Sequence, residues 1–342
     1  MSSAAELADP AAELRERHRS PLMRIQHALH AYPALSPTIV LIGACLVFGL
    51  LNGRFLRPEN LSLVFQQIAV VGVLAVGQTL IILTAGIDLS VGATMILVQS
   101  VSAKLAFDHG LPGLVALAIG LAVGLVAGAV NGALVTRLTL PPFIVTLGTL
   151  NVFTAIGLIY SKSQAIDGTH LPSLMTWTGE TFGIGSFRIT TGVVLTIVLY
   201  AAVAFVLRNT AWGRHVYAVG DDAEASRLAG IRSTRVVFSV YVVAGAIFAI
   251  AAWVLIGRVG GADPNAGANA NLDSITAVVI GGTSLFGGRG TLIGTLLGAL
   301  IVGAFHNGLT LAGVQSLYQT LAVGLLVIAA VAIDQWIRRV RT

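Results

Sequence analysis

The sequence predicts an all-α membrane protein with about ten membrane-spanning helices. Apolar residues make up 56% of the 342-residue chain and charged residues only 10%, whereas soluble domains carry about 25% charged residues. The long apolar runs are apolar on every side and show no amphipathic stripe. Several of them approach the ~20 residues that a helix needs to cross a membrane, so we expect a multi-pass protein in contact with membrane lipid.

Ten apolar segments are candidates for these helices. Two of them, 38–51 and 272–286, are short, and each can either be re-entrant or extend into its flanks. The ten segments are 38–51, 61–84, 89–107, 113–135, 142–160, 190–207, 237–257, 272–286, 291–313 and 316–335.

The two ends of the chain are predicted to be cytoplasmic tails. Residues 1–37 are long, mixed in charge and contain four prolines, which is not the pattern of a signal peptide. Their arginines suit an anionic membrane surface, and residues 336–342 form a second, short basic tail. The single cysteine, Cys45, lies inside the first apolar segment and leaves no disulfide or thiolate metal site.

The basic residues orient the bundle. With ten spans and both termini inside, fourteen of the 20 lysines and arginines lie on the cytoplasmic side, as the positive-inside rule requires. The net charge of +5 is therefore explained by topology, and no basic–aromatic interleaving indicates a nucleic-acid partner. The six basic residues on the outer side are Arg54, Arg57, Lys104, Lys162, Arg188 and Arg258.

The connection TAGIDLSVG at 84–92 places the carboxylate of Asp88 between two apolar segments. A charge beside hydrocarbon is costly unless it is paired, capped or hydrated, so Asp88 is a functional-site hypothesis. Gly86 and Gly92 bracket this carboxylate, and the alternative is a tight turn at the membrane surface in which Gly86 ends one helix and Asp88 or Ser90 caps the next. Both interpretations can hold, because broken helices line binding sites in transporters.

The inner connection at about 208–236 is predicted to contain a short helix at 222–229, parallel to the membrane. We expect Gly220 to break the chain, Asp221 or Asp222 to cap the helix, Glu224 to suit its first turn and Gly230 to end it.

This short helix would have a small apolar face made of Ala225, Leu228 and Ala229. Such a face suits docking into a groove of another protein. It equally suits an interfacial anchor in lipid.

Four motifs in the chain resemble those of one family. GRHVYAVG at 213–220 with EASRLAGI at 224–231 closely resembles the inner loop of the sugar-type permease subunits of bacterial ATP-binding-cassette (ABC) importers, typified by the ribose permease. GIDLSVG at 86–92, the segment 272–291 and PFIVTLGT at 142–149 resemble further motifs of that family. The resemblance covers roughly residues 38–335, and Ala85 replaces a glycine that the family usually has.

The resemblance implies a type II ABC importer permease bundle that moves a monosaccharide or sugar-like solute across the bacterial inner membrane. A periplasmic binding protein would deliver the solute, a cytoplasmic ABC ATPase would supply the energy, and a second permease copy would complete the path. The chain has no Gly-x-x-x-x-Gly-Lys-[Ser/Thr] loop, so ATP would be bound by the partner and the chain itself is not expected to be an enzyme or to hold a cofactor or metal. The implied ATPase-coupling residues are Gly220, Asp222, Glu224, Ala225, Arg227, Leu228 and Gly230. The implied motif and helix-break residues are Gly86, Asp88, Ser90, Gly92, Asp273, Gly281, Gly282, Gly287, Gly288 and Gly290.

An inverted repeat is predicted from two Gly-rich segments that both end in Asn-Gly, AGAVNG at 127–132 and VGAFHNG at 302–308. The segments before them carry Asp88 and Asp273, so segments 2–5 would match segments 7–10. Glycines spaced four apart predict close helix approach. They are Gly120, Gly124, Gly128 and Gly132.

A sugar path needs amide and hydroxyl groups and aromatic rings, although any one of these groups is also explained as an interhelical hydrogen bond. His306 is interpreted as a packing histidine or, alternatively, a proton relay. The candidate path-lining residues are Gln78, Asn131, Thr146, Asn151, Phe153 and Asn307.

Two other functions remain as alternatives. An ion-coupled transporter would need mid-span carboxylates, but the candidate acids lie near segment ends. A membrane scaffold or an intramembrane enzyme is the further alternative, and the sequence has no paired catalytic groups for such an enzyme.

Overall fold

The computed structural model describes residues 35–267 and 269–338, which form a bundle of α-helices and confirm the predicted all-α class. The helices are α1 Leu35–Leu51, α2 Pro58–Leu83, α3 Val91–His109, α4 Gly113–Arg137, α5 Pro142–Ser161, α6 Ser173–Thr176, α7 Thr191–Asn209, α8 Ala211–Asp221, α9 Ala223–Leu228, α10 Ser233–Val259, α11 Ala270–Ile280, α12 Leu292–Leu311 and α13 Ser316–Arg338. Two 3-10 turns, Gly168–His170 and Trp177–Gly179, and four short strands complete the described chain: β1 Ile166–Asp167, β2 Thr181–Ile184, β3 Phe187–Thr190 and β4 Gly261–Ala262.

Each of the ten predicted apolar segments overlaps one helix. Within the described residues, six helices are long and apolar enough to cross a membrane, namely α2, α4, α5, α7, α10 and α12. The chain is thus a multi-pass membrane protein, while the total of ten spans stays a prediction. The predicted tail at 1–37 lies outside the described residues except for its last three, which begin α1, and the tail at 336–342 is described only to Arg338.

The predicted segment 272–286 is wrong at its end, because α11 stops at Ile280. Gly282 has a left-handed φ of 82°, its N–H donates to the Val279 carbonyl at 2.9 Å, and the Thr283 N–H donates to the Val278 carbonyl at 3.2 Å. This Schellman motif terminates the helix. At 11 residues α11 is about 16 Å long, so the helix alone is too short for a hydrocarbon core of about 30 Å, and the chain from β4 to Gly288 passes between the two ends of the bundle only together with the segments that flank α11.

The core of the bundle lies along α2 and α10, and α4 crosses α10 at very close range. A Cβ built on Gly124 would lie 2.5 Å from the carbonyl oxygen of Gly245, and one built on Gly128 would overlap the carbonyl oxygen of Tyr241. The two backbones therefore touch without side chains between them, which confirms the close approach predicted from the glycine spacing.

The connection between α5 and α7 lies at the end of the bundle opposite α9. β1 pairs antiparallel with β4, which directly follows α10, and β2 and β3 form a hairpin. The carbonyl oxygen of Arg188 in β3 accepts hydrogen bonds from Ser62 and Gln66 of α2. Since α10 starts beside α9, where Ser233 Oγ donates to the Ala223 carbonyl at 3.1 Å, the α9 end and the β4 end are the two ends of the bundle.

Candidate functional site

Helix α9 is capped at both ends by the residues that the sequence indicates. Asp222 Oδ1 accepts hydrogen bonds from the backbone N–H groups of Glu224 and Ala225, both at 2.9 Å. At the other end Gly230 has a left-handed φ of 86°, and the Ile231 N–H donates to the Ser226 carbonyl at 3.0 Å. These two caps hold a six-residue helix that would otherwise be too short to persist.

The side chains of α9 face outward. Leu228 is 79% exposed, and only Ser226 among the six helical residues is buried. Arg227 Nε donates to Glu224 Oε2 at 3.1 Å, and this carboxylate raises the pKa of the Arg227 guanidinium above its ordinary value. An exposed ion pair of this kind contributes little to stability, so α9 presents an ordered surface with an uncovered leucine.

The helix α8 was not predicted, and the expected chain break at Gly220 is wrong. Gly220 lies in the last turn of α8 and is buried. The sequence did contain a start signal for α8, namely the capping residue Thr210. In the structure Thr210 Oγ1 accepts a hydrogen bond from the Gly213 N–H at 3.1 Å. Val216 and Val219 then follow Gly213 at three-residue intervals on the buried face.

Three segments that are distant in the sequence meet backbone to backbone at Gly220. A Cβ built on Gly220 would overlap the carbonyl oxygen of Leu83 and lie 2.7 Å from the backbone nitrogen of Gly288. The Gly288 N–H donates to the Leu83 carbonyl at 3.0 Å, and a Cβ on Gly287 would lie 2.5 Å from the Gly220 carbonyl oxygen. We call these residues, Leu83–Ala85, Gly220–Asp221 and Gly287–Gly288, the glycine junction.

The glycine junction is continued by Tyr217, whose hydroxyl donates to the Gly290 carbonyl at 3.0 Å. The glycine junction thus joins the α8–α9 segment to the connection that carries Asp88 and to the turn between α11 and α12. These contacts are made largely by backbone atoms, which cannot rotate away.

Helix α2 ends differently from the prediction, because Ala85 and not Gly86 adopts the left-handed conformation, with a φ of 59°. The Ala85 N–H donates to the Ile82 carbonyl at 2.9 Å and the Gly86 N–H to the Ile81 carbonyl at 3.1 Å, which is a Schellman motif. An alanine there carries a steric cost of about 1 kcal/mol that glycine avoids.

Asp88 is almost completely buried, at 1% exposure, and it does not cap α3. Its Oδ1 accepts hydrogen bonds from both the N–H and the hydroxyl of Ser90 at 2.6 Å. The Asp88 side chain therefore closes an Asx turn with the residue two positions later. Asn131 Nδ2 donates to Ser90 Oγ at 2.9 Å. The Ser90 side chain makes no cap hydrogen bond either.

The first turn of α3 is instead capped by a residue from α11. The Gly92 N–H donates to Asn271 Oδ1, and a Cβ at Gly92 would overlap that oxygen. Asn271 was not predicted, because it lies 179 positions away in the sequence. Tyr241 is a second unpredicted member of this region: its hydroxyl lies near Gly86, is buried, and has no hydrogen-bond partner in the described part of the chain.

Of the six candidate path residues, the structure brings Asn131 and Thr146 to the Gly86–Gly92 connection. Thr146 Oγ1 donates to the Ile87 carbonyl at 3.1 Å and ties α5 to this connection.

The other four candidates are scattered. Asn307 forms a reciprocal amide pair with Asn60, at 2.7 and 3.0 Å, Phe153 packs in an apolar cluster and Asn151 is exposed. Gln78 is fully buried, and neither amide atom has a partner among the described residues.

The remaining motif residues lie on α11 and after it. Asp273 is in the first turn of α11 and not at a helix break, and its Oδ1 is 3.4 Å from His306 Nε2. Gly281 touches the backbone of Gly294 in α12. Over residues 35–267 and 269–338 no cluster of three His, Cys, Asp or Glu side chains could hold a metal ion.

Comparisons with known proteins agree on a class of transport subunits. The family described as branched-chain amino acid transport system / permease component matches residues 60–331. The chain is 47% identical to a fructose import permease of Rhizobium meliloti, over 93% of this chain and 90% of that protein. It is 41% identical to a ribose import permease of Bacillus subtilis (88% and 92% covered) and 35% identical to a D-allose transport system permease of Escherichia coli (86% and 89% covered). No solved structure matches the chain significantly.

Proposed function

The chain belongs to the permease-component family whose model matches residues 60–331, and from its sugar-permease relatives we propose that it is the sugar-translocating permease subunit of an ABC importer. Relatives named as fructose, ribose and D-allose permeases match it over most of their length. The substrate is therefore a monosaccharide. A periplasmic binding protein delivers it at the β4 end of the bundle, and two permease copies form the path.

The observation that carries the proposal is the pairing of an exposed, doubly capped helix with the glycine junction. Helix α9 is the coupling helix, and Leu228 is the apolar contact that enters a groove of the ATPase. Movement of α9 reaches the Asp88 connection through Leu83 and reaches the α11–α12 turn through Gly288. The energy comes from the separate ATPase, since the chain has no phosphate-binding loop of its own.

The finer architecture follows the same proposal. Ten membrane segments lie in the bacterial inner membrane with both termini cytoplasmic, and the region from α2 to α5 is an inverted repeat of the region from α10 to α13. Residues 38–335 are the permease domain, flanked by cytoplasmic tails at 1–37 and 336–342. Helix α11 is too short to span alone and crosses together with its flanking segments, and it corresponds to α3 of the first repeat.

The test is co-purification of the ATPase with the tagged permease, together with sugar uptake. Leu228→Asp and Glu224→Lys are expected to lose the ATPase and uptake while membrane insertion is retained. Ile184→Asp is the matched control, because Ile184 is 92% exposed on the hairpin at the opposite end and should not affect ATPase binding. Normal uptake and ATPase recovery in both α9 variants would refute the coupling role.

A further inference from the structure

A cavity of about 270 Å³ opens at the β4 end of the bundle, between α2, α10, α11 and α12. Its walls include apolar side chains such as Ile68 and Val302. The volume lies just below the roughly 300–1,000 Å³ typical of sites for drug-sized ligands, which suits a single small solute.

Two opposite charges line this cavity without neutralising each other. Arg258 comes from the end of α10 and Asp273 from the first turn of α11. No salt bridge joins them in the described chain; Asp273 Oδ1 is instead 3.4 Å from His306 Nε2, and Arg258 Nη1 donates to the Gln67 carbonyl oxygen at 3.1 Å. These are the only hydrogen bonds of the two charged groups among the described residues, so most of their donor and acceptor capacity remains for a bound solute.

The chemistry of this pair favours a neutral polyhydroxyl compound. A carboxylate accepts from sugar hydroxyls and a guanidinium donates to them through a planar set of N–H groups. A solute with a net charge would be attracted by one of these groups and repelled by the other, whereas the hydroxyl groups of a neutral sugar can donate to the carboxylate and accept from the guanidinium. Apolar walls with a few converging polar groups are the usual composition of a small-molecule site.

We propose that this cavity is a monosaccharide subsite of the permease, in which Asp273 and Arg258 bind sugar hydroxyls and His306 positions the Asp273 carboxylate. The subsite rests on the proposed function, which places the β4 end on the periplasmic side. It is the first site that the sugar meets after release from the binding protein. The glycine junction lies at the other end of α10.

The subsite is tested by cysteine protection in the complete importer in proteoliposomes. Cys45 is the only cysteine, so Cys45→Ser gives a background in which Thr310→Cys, at the cavity wall, is labelled by a maleimide. The probes are D-fructose, D-ribose and D-allose. A transported sugar at twice its dissociation constant is expected to slow labelling about threefold, because about one third of the sites stay free. Labelling of the exposed hairpin residue in Thr181→Cys should not change.

Removal of either charge is expected to abolish the protection and to lower uptake about tenfold, the size expected for loss of a charged hydrogen bond. The variants are Asp273→Asn and Arg258→Gln; Arg258 is exposed, so its variant tests the subsite without unpairing a core group. The matched controls are Asp108→Asn, which removes the ion pair of Asp108 with Lys104 at the end of α3 that packs on β1 and β4, and Arg188→Gln in β3. Both charges lie outside the cavity lining, so both variants should keep protection and uptake.

The outcomes separate the two proposals. A sugar that is transported without protecting Thr310→Cys, or full uptake by Asp273→Asn and Arg258→Gln, would overturn the subsite alone. No uptake of these three sugars or of any other monosaccharide by the parent importer would overturn the proposed function and the subsite with it.

Discussion

Replacing Gly220 by alanine is expected to force α8 away from the end of α2 and from the turn before α12. The new Cβ would overlap the Leu83 carbonyl oxygen and approach the Gly288 backbone nitrogen to 2.7 Å. Both are backbone atoms, so neither can rotate out of the way. Because the optimal separation of non-bonded atoms is about 3.5–4.0 Å, the segments must part by about 1 Å or more.

The cost of this separation follows from two effects. Overpacking of a close-packed site costs about 1–3 kcal/mol. The Gly288 N–H···O Leu83 hydrogen bond of 3.0 Å spans the same contact, and its loss adds about 1 kcal/mol. The sum of about 2–4 kcal/mol equals or exceeds a typical coupling free energy of about 1–3 kcal/mol, so transport should fall by an order of magnitude or more.

The assay compares the apparent melting temperature of the purified permease with the rate of sugar uptake by the importer. Gly148→Ala is the matched control, because Gly148 lies within α5 and a Cβ there meets nothing within 4 Å. That change is expected to be neutral or to stabilise by up to about 1 kcal/mol. If Gly220→Ala melted and transported as Gly148→Ala does, the role of the glycine junction would be refuted.

Three further changes probe hydrogen bonds and backbone strain in and beyond the site. Ala85→Gly should stabilise the permease by about 1 kcal/mol, because it relieves a left-handed alanine; an unchanged or lower apparent melting temperature would contradict this. Asn307→Ala should destabilise by about 1–3 kcal/mol because the buried Asn60 Oδ1 loses its donor, while Asn60 Nδ2 still donates to the Phe55 carbonyl, and addition of Asn60→Ala should cost less than the two single changes summed; a double variant as unstable as that sum would contradict the pairing. Asp88→Asn keeps an acceptor for Ser90 and should preserve the fold, whereas Asp88→Ala should lower the melting temperature; unchanged uptake in Asp88→Asn would leave only a structural role for the carboxylate.

The positions of the membrane helices could be predicted because each long apolar run is a local property of the sequence. The caps of α9 were predictable for the same reason, since Asp222 and Gly230 act on atoms within three or four residues. The end of α11 was placed too late because Val and Ile continue the apolar pattern up to a glycine pair whose effect depends on backbone conformation.

The contacts that define the site depend on partners far along the chain. Gly220 looked like a helix breaker because its partners at Leu83 and Gly288 are invisible from its own neighbourhood. For the same reason a local cap was assigned to Asp88 or Ser90, while the actual acceptor for the Gly92 N–H is Asn271. Asn307 was assigned to the path because its pairing with Asn60 spans 247 positions.

The crossing of α4 and α10 gives α10 the mechanics of a lever. Gly245 lies near the midpoint of Ser233–Val259, and its contact with Gly124 is made by backbone atoms alone. Such a contact blocks closer approach of the two helices but leaves them free to pivot, so it can serve as a fulcrum with arms of about 20 Å on each side. A tilt that moves Ser233 beside α9 in one direction would carry Arg258 an equal distance in the other, without any change in the helix itself.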